Sequence, residues 1–311
     1  MISRRSVRVK VMQLLYMLNR DEQLTYSDVV QLYNEGIWKT FELYIFQLYL
    51  LLRVAQYAEK DVEIRAAKMV PTEEDKNFTA RLYKNPCTQS LATNVGFLQL
   101  VTKYNAHENI DSEQIRQIYQ AFNATEVCKQ YLASNEPTKE EHIKILLELY
   151  RFLVNNDLFT EMVEDRYSNW DDDESLVVGA MKKTLKAMPL EGEFYQEFQP
   201  SDETVREFGE QLLRKTCQED QALFELIAPM LKNWDPDRVA ILDMIMLKMA
   251  LCELLHFPTI PVKVTLNEFV EISKTYSTEN SREFINGVLD RLMKRLQREN
   301  RIVKEGRGLL E

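Results

Sequence analysis

Cationic and polar side chains recur at helical spacing in the first sixteen residues. Residues 1–10 contain four cations and no acid, namely Arg4, Arg5, Arg8 and Lys10. At 100° per residue, one side of a helix would carry Arg5, Val9, Met12 and Tyr16, with Arg8 and Gln13 beside it. Guanidinium groups hold phosphates and tyrosine rings stack on bases, which are the two contacts that single-stranded RNA requires. We therefore expect an exposed RNA-binding face on this helix.

A second basic face is predicted near the C-terminal end of the chain. Residues 291–307 contain seven Lys and Arg against Glu299 and Glu305. The preceding apolar residues have helical spacing, and Phe284 lies at the border between the apolar and basic sides. Phe284 either stacks on a base or forms the edge of the core. Gly287 lies opposite the core, so we expect its bare backbone to face a ligand or partner.

The sequence contains no recognisable catalytic or metal-binding arrangement. Its three histidines are isolated, and no glycine-rich phosphate loop occurs. The four cysteines form no CxxC pair, so we expect no zinc site, no disulfide and no cofactor. Asn85-Pro86-Cys87 is similar to the Pro-Cys nucleophile motif of RNA cytosine methyltransferases, but we interpret it as incidental. The acidic run 171–174 indicates a helix start or a solvated loop rather than a metal site.

Composition predicts an all-α protein. Only 8 Gly and 9 Pro interrupt 311 residues, and good helix formers are abundant. Thr138 and Glu141 have capping-box spacing, as do Asn280 and Glu283. Asp235-Pro236-Asp237 predicts another helix start, with an N-cap and a proline in the first turn.

Location and domain organisation follow from the apolar segments and the breaks between them. The first twenty residues lack the continuous apolar region of a signal peptide, and the most apolar run, Leu43 to Leu52, is too short to span a bilayer. We therefore expect a cytoplasmic protein.

Gly192 and Pro200 lie in the segment 189–201, which is the predicted linker between two domains. The expected domains are an N-terminal helical region at 1–200 and a C-terminal bundle at 201–311.

Three blocks in the C-terminal third carry a family resemblance: LKMALCEL at 247–254, IPVKVTLNE at 260–268 and FINGVLD at 284–290. Together with the arginine-rich start 4–8 and QLLY at 13–16, they resemble the NusB family of transcription antitermination factors. Val9 departs from the pattern, because the family usually has glutamate there. The resemblance covers residues 1–20 and 203–295, and the roughly 180 residues between them form a long insertion.

The resemblance implies two packed helical bundles, with the N-terminal half enlarged by the insertion. It implies no enzyme activity, but binding of boxA-type single-stranded RNA of an rRNA operon leader, together with the small-subunit ribosomal protein NusE, in a transcription elongation complex. The expected partner-binding residue is Asp243. The expected RNA-binding residues are Arg4, Arg5, Arg8, Gln13, Tyr16, Tyr276, Arg282, Phe284 and Asn286.

Two alternatives remain at this stage. A NusB-like domain also occurs fused to an rRNA cytosine methyltransferase, so the chain could be an RNA-binding domain related to those enzymes. The net charge of −10 leaves a helical scaffold without RNA as the other alternative. The same acidity predicts that tight RNA binding needs a basic protein partner.

Overall fold

A computed structural model describes residues 2–231 and 236–309, and within these ranges the chain is all-α with no strand. The fold class predicted from composition is confirmed. The α-helices, numbered in chain order, are α1 Arg4–Arg20, α2 Tyr26–Ala66, α3 Glu73–Asn77, α4 Arg81–Lys84, α5 Pro86–Ala92, α6 Val95–Lys103, α7 Ser112–Asn123, α8 Glu126–Ala133, α9 Lys139–Val154, α10 Asp157–Glu164, α11 Trp170–Lys186, α12 Gln211–Gln218, α13 Asp220–Ile227, α14 Ile241–His256, α15 Val262–Tyr276 and α16 Ser281–Arg298.

Short non-α helices complete the architecture. A π-helical segment, Glu203–Glu210, continues directly into α12. The 3₁₀ segments are Phe194–Phe198, Ala228–Met230, Pro236–Arg238 and Gly306–Leu309.

Local sequence accounts for most of the helix starts. Ser3 caps α1 through its hydroxyl, which accepts from the backbone N–H of Ser6 at 3.1 Å. The predicted capping box of Thr138 and Glu141 is present at α9. The acidic run lies in the first turn of α11, as expected from the helix dipole. Each start satisfies or complements backbone N–H groups that the helix itself leaves unpaired.

Two predicted helix starts differ from the structure. Helix α14 begins at Ile241, because Pro236–Arg238 forms a separate 3₁₀ turn; the proposed cap, Asp235, lies outside the described residues. Asn280 occupies the N-cap position of α16, but its side chain makes no capping hydrogen bond. Its φ/ψ of −83° and −14° are helical, whereas capping side chains belong to residues with extended backbone.

The helices form two compact units. The central unit comprises Trp38–Gln199, and the terminal unit comprises Ile2–Ile37 together with residues 200–309. The break at residue 200 coincides with the proposed linker. The division nevertheless differs from a single cut at that point, because α1 and the start of α2 cluster with the C-terminal helices.

The core of the central unit surrounds the middle of α2. Leu43 to Leu52, the most apolar run of the sequence, is largely buried there. Two hydrogen bonds between side chains lie in this core: Tyr150 donates its hydroxyl to Gln47 Oε1 at 2.6 Å, and Thr40 donates to Asp173 Oδ2 at 2.7 Å. Such pairing offsets the cost of removing these groups from water.

Helix α14 lies at the centre of the terminal unit. Its residues 245–254 are buried with the single exception of Lys248, as expected for a helix that is apolar nearly all round. Helices α1, α12, α13, α15 and α16 all contact it. The unit therefore fixes α1 against the family-like C-terminal segments.

Gly209 is a position where this packing needs a glycine. A Cβ atom there would lie 1.9 Å from the Tyr33 hydroxyl and 2.4 Å from Val7. The Tyr33 hydroxyl cannot move away without losing its 2.8 Å hydrogen bond to the carbonyl of Val205.

We predict that Gly209→Ala lowers the free energy of unfolding by about 1–3 kcal/mol, the usual cost of overpacking. Gly36→Ala is the control, because a Cβ there meets nothing within 4 Å and alanine favours a helix over glycine by about 1 kcal/mol. Urea denaturation of both variants would measure the difference. Equal effects of the two substitutions would contradict the packing role of Gly209.

Candidate nucleic-acid interface

A buried ion pair holds the first helix in place. Arg8 donates from Nε and from one terminal nitrogen to the two carboxylate oxygens of Glu253, both at 2.7 Å. The two side chains are 2% and 0% exposed. Thr265 also donates to Glu253 at 2.7 Å, so α1, α14 and α15 meet at a single carboxylate. The guanidinium lies 5.0 Å from the ring centroid of Phe208, which adds a cation–π contact.

This geometry revises the predicted role of Arg8. A guanidinium that is 2% exposed and bound at both ends of its fork is not available to an RNA phosphate. Arg8 instead stabilises the packing of α1 against α14. Spacing alone did not show this, because an arginine on a helix face has the same pattern whether a carboxylate or a phosphate lies opposite.

Arg5 is the exposed counterpart of Arg8. Its Nε and Nη2 atoms donate to Glu268 at 2.8 and 2.7 Å, yet the side chain remains 54% exposed. The hydrogen bonds that Arg5 donates to Glu268 raise the pKa of Arg5. Arg5 and Arg8 together hold the pKa of Glu268 below its usual range, although burial opposes this. Glu268 therefore fixes one edge of the Arg5 guanidinium and leaves the other edge open to solvent.

Arg282 of α16 lies in the same electrostatic neighbourhood. The exposed Glu271 has a lowered pKa, first through a hydrogen bond from Lys274 and further through the charges of Arg282 and Arg5. Arg5 of α1 and Arg282 of α16 are therefore both close enough to Glu271 of α15 to act on its charge. All three side chains are exposed, and we call them the surface of Arg5 and Arg282. Arg282 has no ion-pair partner within 4 Å among the described residues.

Arg4 lies on another side of α1. It forms a 3.0 Å ion pair with Glu203 of the π-helical segment, and its guanidinium lies 5.5 Å from the ring centroid of Phe208. Glu203 is 71% exposed, so water competes with this pair and its contribution to stability is small. Arg4 can exchange this carboxylate for another anion.

The predicted continuous face from Arg5 to Tyr16 is wrong. Val9 and Met12 lie between them on the helix wheel, but they are 8% and 1% exposed because other helices cover both sides of α1. Tyr16 is exposed, and Gln13 is half-buried. Arg5 and Tyr16 are about 16 Å apart along the helix axis, so they offer two separate contacts.

Helix α16 presents a mixed surface. Arg282 and Asn286 are exposed, whereas Phe284 and Tyr276 are half-buried and pack against the terminal core. A Cβ at Gly287 would approach only the flexible end of Arg291, at 3.7 Å. Packing within the described chain therefore does not require a glycine there.

Asp243 is held by hydroxyl groups. Its two carboxylate oxygens accept from Ser277 at 2.6 Å and from Ser281 at 2.7 Å, which ties the start of α14 to the turn between α15 and α16. The expected role of Asp243 was partner binding, and in the structure two serine hydroxyls of the chain itself hold its carboxylate. Asp243 is 5% exposed and lines a cavity of about 200 Å³ with Phe284 and Arg238.

Other predicted features are internal in the structure. Arg291 donates to the carbonyl of Met230 at 3.0 Å, and Lys294 and Arg295 pair with Asp290 and Glu299, so much of the basic stretch is neutralised locally. Cys87 is 1% exposed and burial raises the pKa of its thiol, unlike a thiolate nucleophile.

The described residues contain neither a metal-binding cluster nor a membrane-spanning helix. In residues 2–231 and 236–309, no group of three His, Cys, Asp or Glu side chains is placed to hold a metal ion. Over the same ranges, no helix has the length and hydropathy needed to cross a membrane.

The NusB family model matches residues 175–294, which run from α11 to α16. The NusB transcription antitermination protein of Salinibacter ruber is 40% identical over 109 residues, which are 35% of this chain and 68% of the relative. The one from Methylacidiphilum infernorum is 40% identical over 100 residues, 32% of this chain and 70% of the relative. The chain belongs to the NusB family.

A third NusB protein, from Chloroherpeton thalassium, is 33% identical over 111 residues, 36% of this chain and 53% of the relative. No solved structure matches the chain. The family match starts within α11, so most of the central unit lies outside it. This NusB chain is about twice as long as its Salinibacter relative, consistent with the predicted insertion.

Glu253 and Glu268 are the site residues that sequence reasoning missed. Both lie inside the family-like blocks, but no role was assigned to them. Glu253 interrupts an apolar helix, and a buried acid requires a partner. An acid in an apolar helix therefore indicates a cationic partner elsewhere in the chain, but the sequence does not identify that partner.

We predict that Arg8→Met lowers the free energy of unfolding by about 3–5 kcal/mol, because Glu253 would keep a buried and unpaired charge. Adding Glu253→Met should recover most of that loss. Urea denaturation of the two single variants and the double variant forms a double-mutant cycle. Additive losses would show that the two side chains do not act as a pair.

Proposed function

We propose that this protein is a transcription antitermination factor that binds boxA-type single-stranded RNA together with the ribosomal protein NusE. Membership of the NusB family supports the antitermination role. The observation that carries the RNA proposal is the guanidinium of Arg5 on α1, which Glu268 of α15 holds at 2.7 and 2.8 Å while the side chain stays 54% exposed. Arg282 and Asn286 of α16, in the same unit, are also exposed.

The proposed RNA contacts divide by chemistry. Arg4, Arg5 and Arg282 hold phosphates, since each has an exposed or exchangeable guanidinium. Gln13 and Asn286 contribute amide hydrogen bonds. Tyr16, Tyr276 and Phe284 stack on bases at the edges of this surface. In this proposal Arg8 stabilises the packing of α1 and does not contact the RNA.

The distribution of charge removes one objection to RNA binding. Residues 38–199 carry 18 Lys and Arg against 26 Asp and Glu, a net charge of −8 out of −10 for the chain. The remaining residues are therefore close to neutral. Screening over about 8 Å at physiological salt further weakens the effect of acids outside the RNA surface.

We predict that boxA-type RNA binds with a log–log salt slope of about −2, since three phosphate contacts each contribute about −0.7 for a single strand. Phe284→Ala should cost about 1–3 kcal/mol of binding free energy if the ring stacks on a base. Fluorescence anisotropy titrations at several salt concentrations would measure both quantities.

Lys294→Gln is the matched control for this titration. It removes a cation from the same helix, but that lysine pairs with Asp290 and lies outside the proposed contacts. Binding that is as tight in folded Phe284→Ala as in the parent would assign Phe284 to the core edge alone.

Under the same proposal, NusE increases the affinity for RNA. The acidic chain attracts a basic ribosomal protein, which adds its own cations beside the RNA. We predict that the mixture binds boxA-type RNA more tightly than either protein alone, in parallel titrations of the three samples. Binding by the mixture that is no tighter than that of the better single protein would reject the cooperative role.

Asp243 is the acid proposed to face NusE. Asp243→Asn keeps the shape and the possibility of hydrogen bonds to Ser277 and Ser281 while it removes the charge. A measured loss of affinity for NusE, with unchanged thermal stability, is the expected result. Unchanged affinity would leave Asp243 as a purely internal residue.

A further inference from the structure

A cavity in the terminal unit, separate from the surface of Arg5 and Arg282, gathers cations from three parts of the chain. It has a volume of about 650 Å³, within the usual range for small-molecule sites. Its cationic lining residues are Arg4 from α1, Lys215 from α12 and Arg307 from the 3₁₀ segment Gly306–Leu309. Phe208, Phe257 and Ile260 contribute apolar walls.

Within the described chain, two of these cations lack an ion-pair partner. Among the described residues, neither Lys215 nor Arg307 has a carboxylate within ion-pair distance, whereas many other surface cations of the terminal unit do, such as Lys248 with Asp220. Arg4 is paired only with the highly exposed Glu203. The cavity is lined by three cations against two carboxylates, Glu203 and Glu207, and this excess of positive charge favours an anion.

The position of Arg307 is built into the fold. Lys304 Nζ donates to the carbonyl of Phe257 at 3.0 Å, and the backbone N–H of Glu305 donates to the carbonyl of Pro258 at 3.0 Å. Gly308 lies so close to this loop that a Cβ atom would be 1.9 Å from the Pro258 oxygen. The segment 301–309 is therefore docked at a defined place, and Arg307 reaches the cavity as a result.

Other residues that line the cavity offer polar groups for hydrogen bonds. Glu207 is exposed and, within the described chain, accepts no hydrogen bond, and the Gln211 side chain also faces the cavity. Glu207 accepts from hydroxyl or amino donors. The Gln211 carbonyl oxygen already accepts from Arg214, so the amide NH₂ of Gln211 is the group that donates to a ligand. A ligand that suits the whole lining has a phosphate for the cations, a donor for Glu207, an acceptor for Gln211 and an apolar part for the walls. A nucleotide unit has all four.

We infer that this cavity binds a nucleotide unit through its phosphate, held by Arg4, Lys215 and Arg307. The inference rests on the proposed function for the source of the nucleotide, which is the RNA strand that crosses α1. Arg4 belongs to both sites and links them. A free nucleoside monophosphate has the same chemistry, so the test below separates the two sources.

The test compares RNA affinity of the parent with that of Lys215→Gln, Arg307→Gln and Gly308→Ala. Each should weaken binding about 3- to 10-fold, and each charge variant should reduce the salt slope by at most about 0.7, the contribution of the one phosphate that Arg4, Lys215 and Arg307 hold together. Gly308→Ala removes no charge, so its effect would come from displacement of Arg307. Circular dichroism and thermal unfolding establish that each variant is folded.

Two controls come from the same segment. Arg301→Gln removes an exposed cation that lies 3.8 Å from Glu299 and does not line the cavity, and Leu309→Ala changes an exposed side chain next to Gly308. Both should bind RNA within about twofold of the parent, which is less than the loss of one phosphate contact. A general charge effect would instead lower the affinity of Arg301→Gln as much as that of Arg307→Gln.

A second titration uses AMP and inorganic phosphate, followed by calorimetry. If the parent binds RNA and the cavity variants bind it equally well, the inference is wrong while the proposed function stands. If the parent binds no RNA, the proposed function fails; AMP binding that is lost in Arg307→Gln would then support a free nucleotide as the ligand. Absence of AMP binding in that case would overturn the inference as well.

Discussion

The buried pair of Arg8 and Glu253 is the interaction on which the rest of the terminal unit depends. A charge inside a protein is tolerated only when it is paired and hydrogen-bonded, and here both carboxylate oxygens and both sides of the guanidinium fork are used. The partners lie 245 residues apart in sequence, with the central unit between them along the chain. The pair nevertheless fixes α1 on α14 and α15. Arg4 and Arg5 are exposed at defined positions as a consequence.

Sequence reasoning was most reliable where a signal is local. The all-α class and the capping box at Thr138 follow from composition and short-range hydrogen bonding. The role of Arg8 could not be obtained in this way, since it depends on a carboxylate in a distant segment. Burial of Val9 and Met12 depends in the same way on helices that a helical wheel of α1 does not show.

The acidic balance of the chain belongs mainly to its central unit. Composition for the whole sequence suggested a body that repels RNA, but the residues outside 38–199 are nearly neutral. The family-like part of the molecule thus keeps an electrostatic character compatible with a polyanion, while the acids are concentrated in a region that the family match largely omits.

The central claim is that RNA lies on α1 and α16 of the terminal unit. Ultraviolet crosslinking of boxA-type RNA to the full chain, followed by mass spectrometry of the crosslinked peptides, tests it directly. The account predicts crosslinks to peptides that contain Tyr16, Tyr276 or Phe284. Crosslinks confined to residues 38–199 would contradict it.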